Sequence, residues 1–94
     1  PLDADLIAAS AGKTGAAVTA ENASVLGGLG SAVAEVLGER APAVLRRIGV
    51  HDAFVGSGGT AELFRRHRMR PEDIAAAARE AIAARDSATR RNRA

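Results

Sequence analysis

Ninety-four residues make one small domain or part of one, with an aliphatic core of Ala, Val, Leu and Ile and only Phe54 and Phe64 as aromatics. The absence of cysteine excludes a disulfide framework and a thiolate metal site, and points to a reducing compartment, the cytoplasm. The formal charge of +2 hides an asymmetry: residues 1–45 set two cations against five acids, and residues 46–94 set eleven Arg against six acids. Because twelve of the thirteen bases are Arg, in an Ala-rich chain, the basic half reads as compositional bias and a solvated face, with no nucleic-acid partner expected. No apolar run approaches the ~20 residues that span a bilayer, so no membrane partner is expected. The opening PLDADLI has neither the basic nor the apolar region of a signal peptide. A start at Pro1 suggests a piece of a longer polypeptide.

Asp3 is an N-cap residue, Asp5 follows in the first turn, and Leu2 and Ile7 take the two positions of a hydrophobic staple. A short helix therefore begins here, and Gly12 is expected to end it. Residues 16–21, with β-branched Val18 and Thr19, read as a strand. Gly27, Gly28 and Gly30 then form a turn. From Leu29 the apolar residues Leu29, Ala32, Val33, Val36 and Leu37 repeat at helical spacing over 29–38. A strand that feeds a helix through a glycine turn opens a βαβ unit.

Gly38 and Pro42 mark the helix exit, and residues 43–50 read as a second strand. Its two adjacent residues Arg46 and Arg47 suggest a sheet edge. Parallel pairing with the first strand would make the crossover right-handed. Residues 51–59 are a glycine-rich loop, and Thr60 opens a short helix with Leu63 and Phe64 turned inward. Pro71, Glu72 and Asp73 start the last helix, whose buried stripe is Ile74, Ala77, Ala78, Ala81 and Ile82. Residues 87–94 form an Arg-rich tail expected to be disordered. Two strands are marginal as a sheet, so further strands are expected from outside this sequence.

The chemistry-bearing motifs are sparse. Gly28-Leu29-Gly30-Ser31-Ala32-Val33 approaches the dinucleotide fingerprint, but Val33 replaces the third glycine and the turn from Glu21 is too long for a phosphate loop. Gly12-Lys13-Thr14 lacks the earlier glycine and the strand of a Walker A loop. His51 and His67 lie on separate segments with no cysteine near, which speaks against zinc. Ser24, Ser31 and Ser57 lack a nucleophile elbow. Glu21 and Asn22 end a strand, where open α/β sheets place ligands, but one carboxylate and one amide are not a catalytic set.

Residues 18–37, VTAENASVLGGLGSAVAEVL, resemble the third, C-terminal domain of transketolases, with its pattern VT-x-E-[NH]-x-S-[VI]-[IL]-GGLGSAVAE. Pro1-Leu2-Asp3 is similar to the family's PLD turn. Arg47-Ile48-Gly49-Val50, Asp52, Phe54 and Ser57-Gly58 are similar to its RIGV-x-D-x-F-x-x-SG segment. Glu62-Leu63 and Glu72-Asp73-Ile74 with Ala77 match its closing helices, so the resemblance covers about residues 1–85.

It implies a three-layer α/β/α domain with a mixed, mostly parallel sheet, incomplete here because the family's domain begins upstream of the PLD turn. Residues 1–86 would then be a truncated C-terminal domain. The implied chemistry is transfer of a two-carbon ketol unit between phosphorylated sugars, in the pentose phosphate pathway. Thiamine diphosphate and Mg²⁺ would be bound by domains absent from this sequence. The resemblance assigns no catalytic, cofactor or metal residue to this segment. It makes Glu21, Asn22, Gly27, Gly28 and Gly30 candidates for contacts between domains or subunits. The implied partners are the catalytic transketolase domains or subunit, in a homodimer.

Three departures stand out: Ala23 where the family often has His, Arg68-Met69 for Gly-Leu, and Arg70 for a Thr N-cap. The competing readings are a 1-deoxyxylulose-5-phosphate synthase, a 2-oxoacid dehydrogenase beta subunit, and a stand-alone interaction module.

Overall fold

The computed structural model describes residues 2–24, 27–50, 62 and 65–93, with backbone alone at 22–24 and 91–93. The expected glycine-rich loop and the inward-facing Leu63 and Phe64 lie outside the described residues.

Helix α1 spans Ala4–Thr14. Asp3 caps it as expected, its carboxylate accepting the Leu6 N–H at 3.0 Å. The expected end at Gly12 is wrong. Gly12 stays helical with open space beside it, and the helix closes at Gly15, whose φ of 70° permits the left-handed turn. The Gly15 N–H donates to the Ala11 carbonyl at 2.8 Å, and the Arg85 guanidinium donates to the Thr14 carbonyl at 2.9 Å. A carbonyl orphaned at the helix end is thus satisfied by a residue far along the chain.

Strand β1 spans Ala16–Ser24, helix α2 Leu29–Arg40, strand β2 Val44–Val50 and helix α3 Pro71–Arg93. The two strands form a parallel pair. Ala16 to Ala20 lie opposite Val44 to Ile48 in unbroken register; then the ladder slips, and Ser24 next faces Val50. Three residues of β1, among them Glu21, therefore stand against Gly49 alone, which is a bulge.

The strands separate helices α1 and α2 from helix α3. Helices α1 and α2 pack on each other, with Ala11, Val33 and Leu37 buried between them and Ile7, Ala17, Ala43 and Leu45 completing the cluster. Helix α3 packs along both strands on the opposite face, and among the described residues only its Arg85 side chain reaches round to the end of α1, at the Thr14 carbonyl. On that face Ala77 and Ala81 are buried as the stripe predicts, while Ile82 stays 44% exposed. Leu29, expected on the buried stripe of α2, is also exposed, because it is the first helical residue and lies at the end of the element. The alternation of β2 holds through its arginines: Arg46 turns toward Glu80 of α3, and Arg47 turns toward α2. This is an α/β/α arrangement with an incomplete sheet.

The expected disordered tail is a correction. Residues 87–93 continue α3 to Arg93. Alanine and arginine are good helix formers, no glycine or proline interrupts the segment, and Arg90 donates to the Ser87 hydroxyl one turn earlier.

Candidate functional site: the junction of β1 and α2

The N-cap residue of helix α2 is Gly28, which has no side chain to cap it. The first two N–H groups of the helix would be orphans. Glu21 supplies the cap from the strand. Its Oε1 accepts the Leu29 N–H at 3.0 Å and its Oε2 accepts the Gly30 N–H at 2.7 Å. The bulge in β1 is what frees Glu21 from the regular ladder to reach the helix. A carboxylate at this place also meets the positive end of the helix dipole. Charge-assisted caps of this kind contribute on the order of 1–2 kcal/mol.

Gly30 lies where three elements meet. A Cβ on it would stand 2.8 Å from Cδ of Arg47, 3.0 Å from Oγ1 of Thr19 and 3.1 Å from Oε2 of Glu21. The close approach, rather than any unusual φ, requires glycine here. Thr19 is buried at 7% exposure, and its hydroxyl finds no hydrogen-bond partner among the described residues. Ser31 ties the turn: its Oγ accepts the Gly27 N–H at 3.1 Å and receives a long contact from Arg47 Nη1 at 3.5 Å. Gly27 itself adopts φ 74°.

Of the five residues singled out from the sequence, Glu21, Gly27, Gly28 and Gly30 therefore come together at one strand–helix junction. Asn22 lies in β1, and its side chain is outside the described set. Sequence reasoning missed Thr19, Ser31 and Arg47. Thr19 could have been found, since it stands two residues before Glu21 on the same strand and so on the same face. Arg47 is opposite Thr19 only through the parallel register.

A junction closed in this way is built to hold a helix against a sheet. Its anion-binding N–H groups are already taken by an internal carboxylate. No group of His, Cys, Asp or Glu among the described residues could hold a metal ion.

Comparison with known proteins agrees with this architecture. Residues 1–74 match the family model described as transketolase, C-terminal domain. The chain is 52% identical over 80 residues to the 6-deoxy-6-sulfo-D-fructose transketolase subunit SqwH of Clostridium sp. strain MSTE9, covering 85% of this chain and 25% of that one. It is 42% identical over 80 residues to the 1-deoxy-D-xylulose-5-phosphate synthase of Syntrophotalea carbinolica, covering 84% of this chain and 13% of that one. A solved structure described as a split gene transketolase, inactive beta4 tetramer, superimposes with a TM-score of 0.82 at 44% identity, over 88% of this chain and 27% of that one. The chain thus spans about a quarter or less of the length of these relatives.

Proposed function

The chain belongs to the transketolase C-terminal domain family, and on that premise we propose that it is the C-terminal part of a thiamine-diphosphate-dependent transketolase. The observation that carries this reading is the 52% identity to a transketolase subunit along 85% of the chain. In this reading the full enzyme moves a two-carbon ketol unit between phosphorylated sugars in the cytoplasm, within the pentose phosphate pathway. The present segment supports the architecture. Its partners are the catalytic transketolase domains, carried on the same polypeptide or on a separate subunit, and the full enzyme is a homodimer. Glu21, Asn22, Gly27, Gly28 and Gly30 form the stretch that faces a neighbouring domain or subunit, with half-exposed Leu29 among them.

Thiamine diphosphate would need a diphosphate cradle and ligands for its divalent cation. The described residues do not fit it: the start of α2 is filled by Glu21, and no metal-ligating group is present among them.

The test is a ketol-transfer assay with thiamine diphosphate and Mg²⁺. The 94-residue chain is expected to show no turnover, and the full-length polypeptide, with its catalytic partner if that is separate, to be active. Cofactor-dependent turnover by the 94 residues alone would overturn the supporting role. The similarity to the synthase favours a second reading, in which the full-length protein forms 1-deoxy-D-xylulose 5-phosphate. Detection of that product, with no ketol transfer, would select it.

A further inference from the structure

A helix is ordinarily capped by its own N-cap side chain, whereas α2 is capped from the neighbouring strand. The two oxygens of Glu21 divide between two donors: Oε1 accepts the Leu29 N–H at 3.0 Å and Oε2 accepts the Gly30 N–H at 2.7 Å. A free carboxylate would sit on a helix N-terminus in the same way, one oxygen to each N–H, with the positive end of the dipole behind them. Gly28-Leu29-Gly30 thus keeps the anion-binding half of the dinucleotide fingerprint, but it is filled from β1.

A further donor stands at the same corner. Thr19 is 7% exposed, and its hydroxyl finds no hydrogen-bond partner among the described residues. Its Oγ1 lies 3.0 Å from the point that a Cβ on Gly30 would occupy, and Glu21 Oε2 lies 3.1 Å from that same point. The Arg47 side chain closes the corner from below, its Cδ 2.8 Å from the point. A buried hydroxyl is costly to leave unpaired, so Thr19 is a donor with unused capacity. The backbone of Glu21 is fixed in β1, and that tether holds the carboxylate short of the Thr19 hydroxyl. A carboxylate without the tether can shift to reach it.

We propose that the start of α2 is a binding site for a small carboxylate, with Glu21 as its tethered ligand. In the native protein the tether keeps the local carboxylate concentration far above any in solution, which closes the site to free anions, phosphate included. Cutting the tether opens it. The atoms lost in Glu21→Ala are those of acetate, and the atoms lost in Glu21→Gly are those of propionate. Either acid returns two oxygens to the Leu29 and Gly30 N–H groups and brings the Thr19 hydroxyl within reach. Tetrahedral phosphate is bulkier than the planar group it would replace, and Thr19 and Arg47 crowd this corner. Such a site stands apart from the reaction that the full-length enzyme performs.

Thermal melts of the full-length protein test this, at one ionic strength, in chloride, acetate, propionate and inorganic phosphate. Acetate is expected to raise the Tm of Glu21→Ala saturably, by about 2 °C or more over chloride, and to leave the wild type unchanged. Equal shifts in wild type and Glu21→Ala, no shift in either, or a larger shift with phosphate would overturn the site. In Glu21→Gly propionate is expected to act at lower concentration than acetate; acetate acting equally well there would overturn the fit. Where Glu21→Ala does not fold in chloride, the soluble yield on refolding is the readout: recovery in acetate is expected, and no recovery overturns the site. Adding Thr19→Val to Glu21→Ala should raise the half-saturating acetate concentration by about three- to tenfold. An unchanged value would overturn the part given to Thr19.

Discussion

Arg68 stands at φ 56°, in the turn just before α3. A left-handed conformation costs an L-residue roughly 1–2 kcal/mol, and glycine almost nothing. Arg68 therefore stands in a conformation that glycine adopts freely. Arg68→Gly should raise stability by about 1 kcal/mol, less than the full strain because glycine is freer in the unfolded chain. A higher urea midpoint with unchanged slope would show it; a lower midpoint would mean that the side chain holds the turn. Two residues on, Arg70 replaces the expected Thr cap, yet the helix start is not left open. Asp73 reaches back and accepts the Arg70 N–H at 3.0 Å and the Arg70 Nε–H at 3.0 Å. The hydrogen bond from the Arg70 side chain holds the Asp73 carboxyl below the usual carboxylate range, with burial opposing it and the Arg70 N–H and charge assisting. Because the folded value is depressed, the stabilisation is complete above the ordinary carboxylate range near pH 4. It is lost as pH falls through the depressed value. An NMR titration should place the Asp73 carboxyl below that of a free aspartate, and Arg70→Ala should return it upward.

Helix α2 contains two glycines with opposite expectations. A methyl group added to Gly38 would meet nothing within 4 Å, so Gly38→Ala should stabilise by about 0.5–1 kcal/mol through helix propensity alone. Gly30→Ala gains the same propensity but drives its methyl against Arg47, Thr19 and Glu21, and should destabilise by a net ~1–3 kcal/mol. Thermal melts of the two variants side by side check the sign of each. The contrast also shows what the sequence could and could not reveal. Element starts were legible, because Asp3, the Gly27–Gly30 turn and Pro71 act locally. Ends were not. Gly12 and Gly38 look like terminators, but each sits exposed within a helix that packing sustains, and Gly15 closes α1 with help from Arg85, 71 residues beyond Thr14. Glu21 was legible as a residue of interest. Its role as a cap was not, because that depends on a bulge in β1 and on the register that sets Arg47 beside Thr19.

At the scale of the whole molecule, burial is shallow. Among the described residues the buried apolar set is Ala11, Val33, Leu37, Val50, Met69, Ala77 and Ala81, and no large side chain is fully enclosed. Three of these seven are alanines, which contribute little apolar area each. A two-stranded sheet adds marginal stability of its own. Meanwhile one side of β1, between two apolar grooves, carries no strand among the described residues. Such an edge recruits other chains. The 94-residue chain should therefore self-associate through this edge. Sedimentation velocity on the chain alone should show a broad distribution that moves to larger species as concentration rises, with a shallow thermal transition. A single sharp monomer boundary with a steep melt would mean that the 94 residues are self-sufficient.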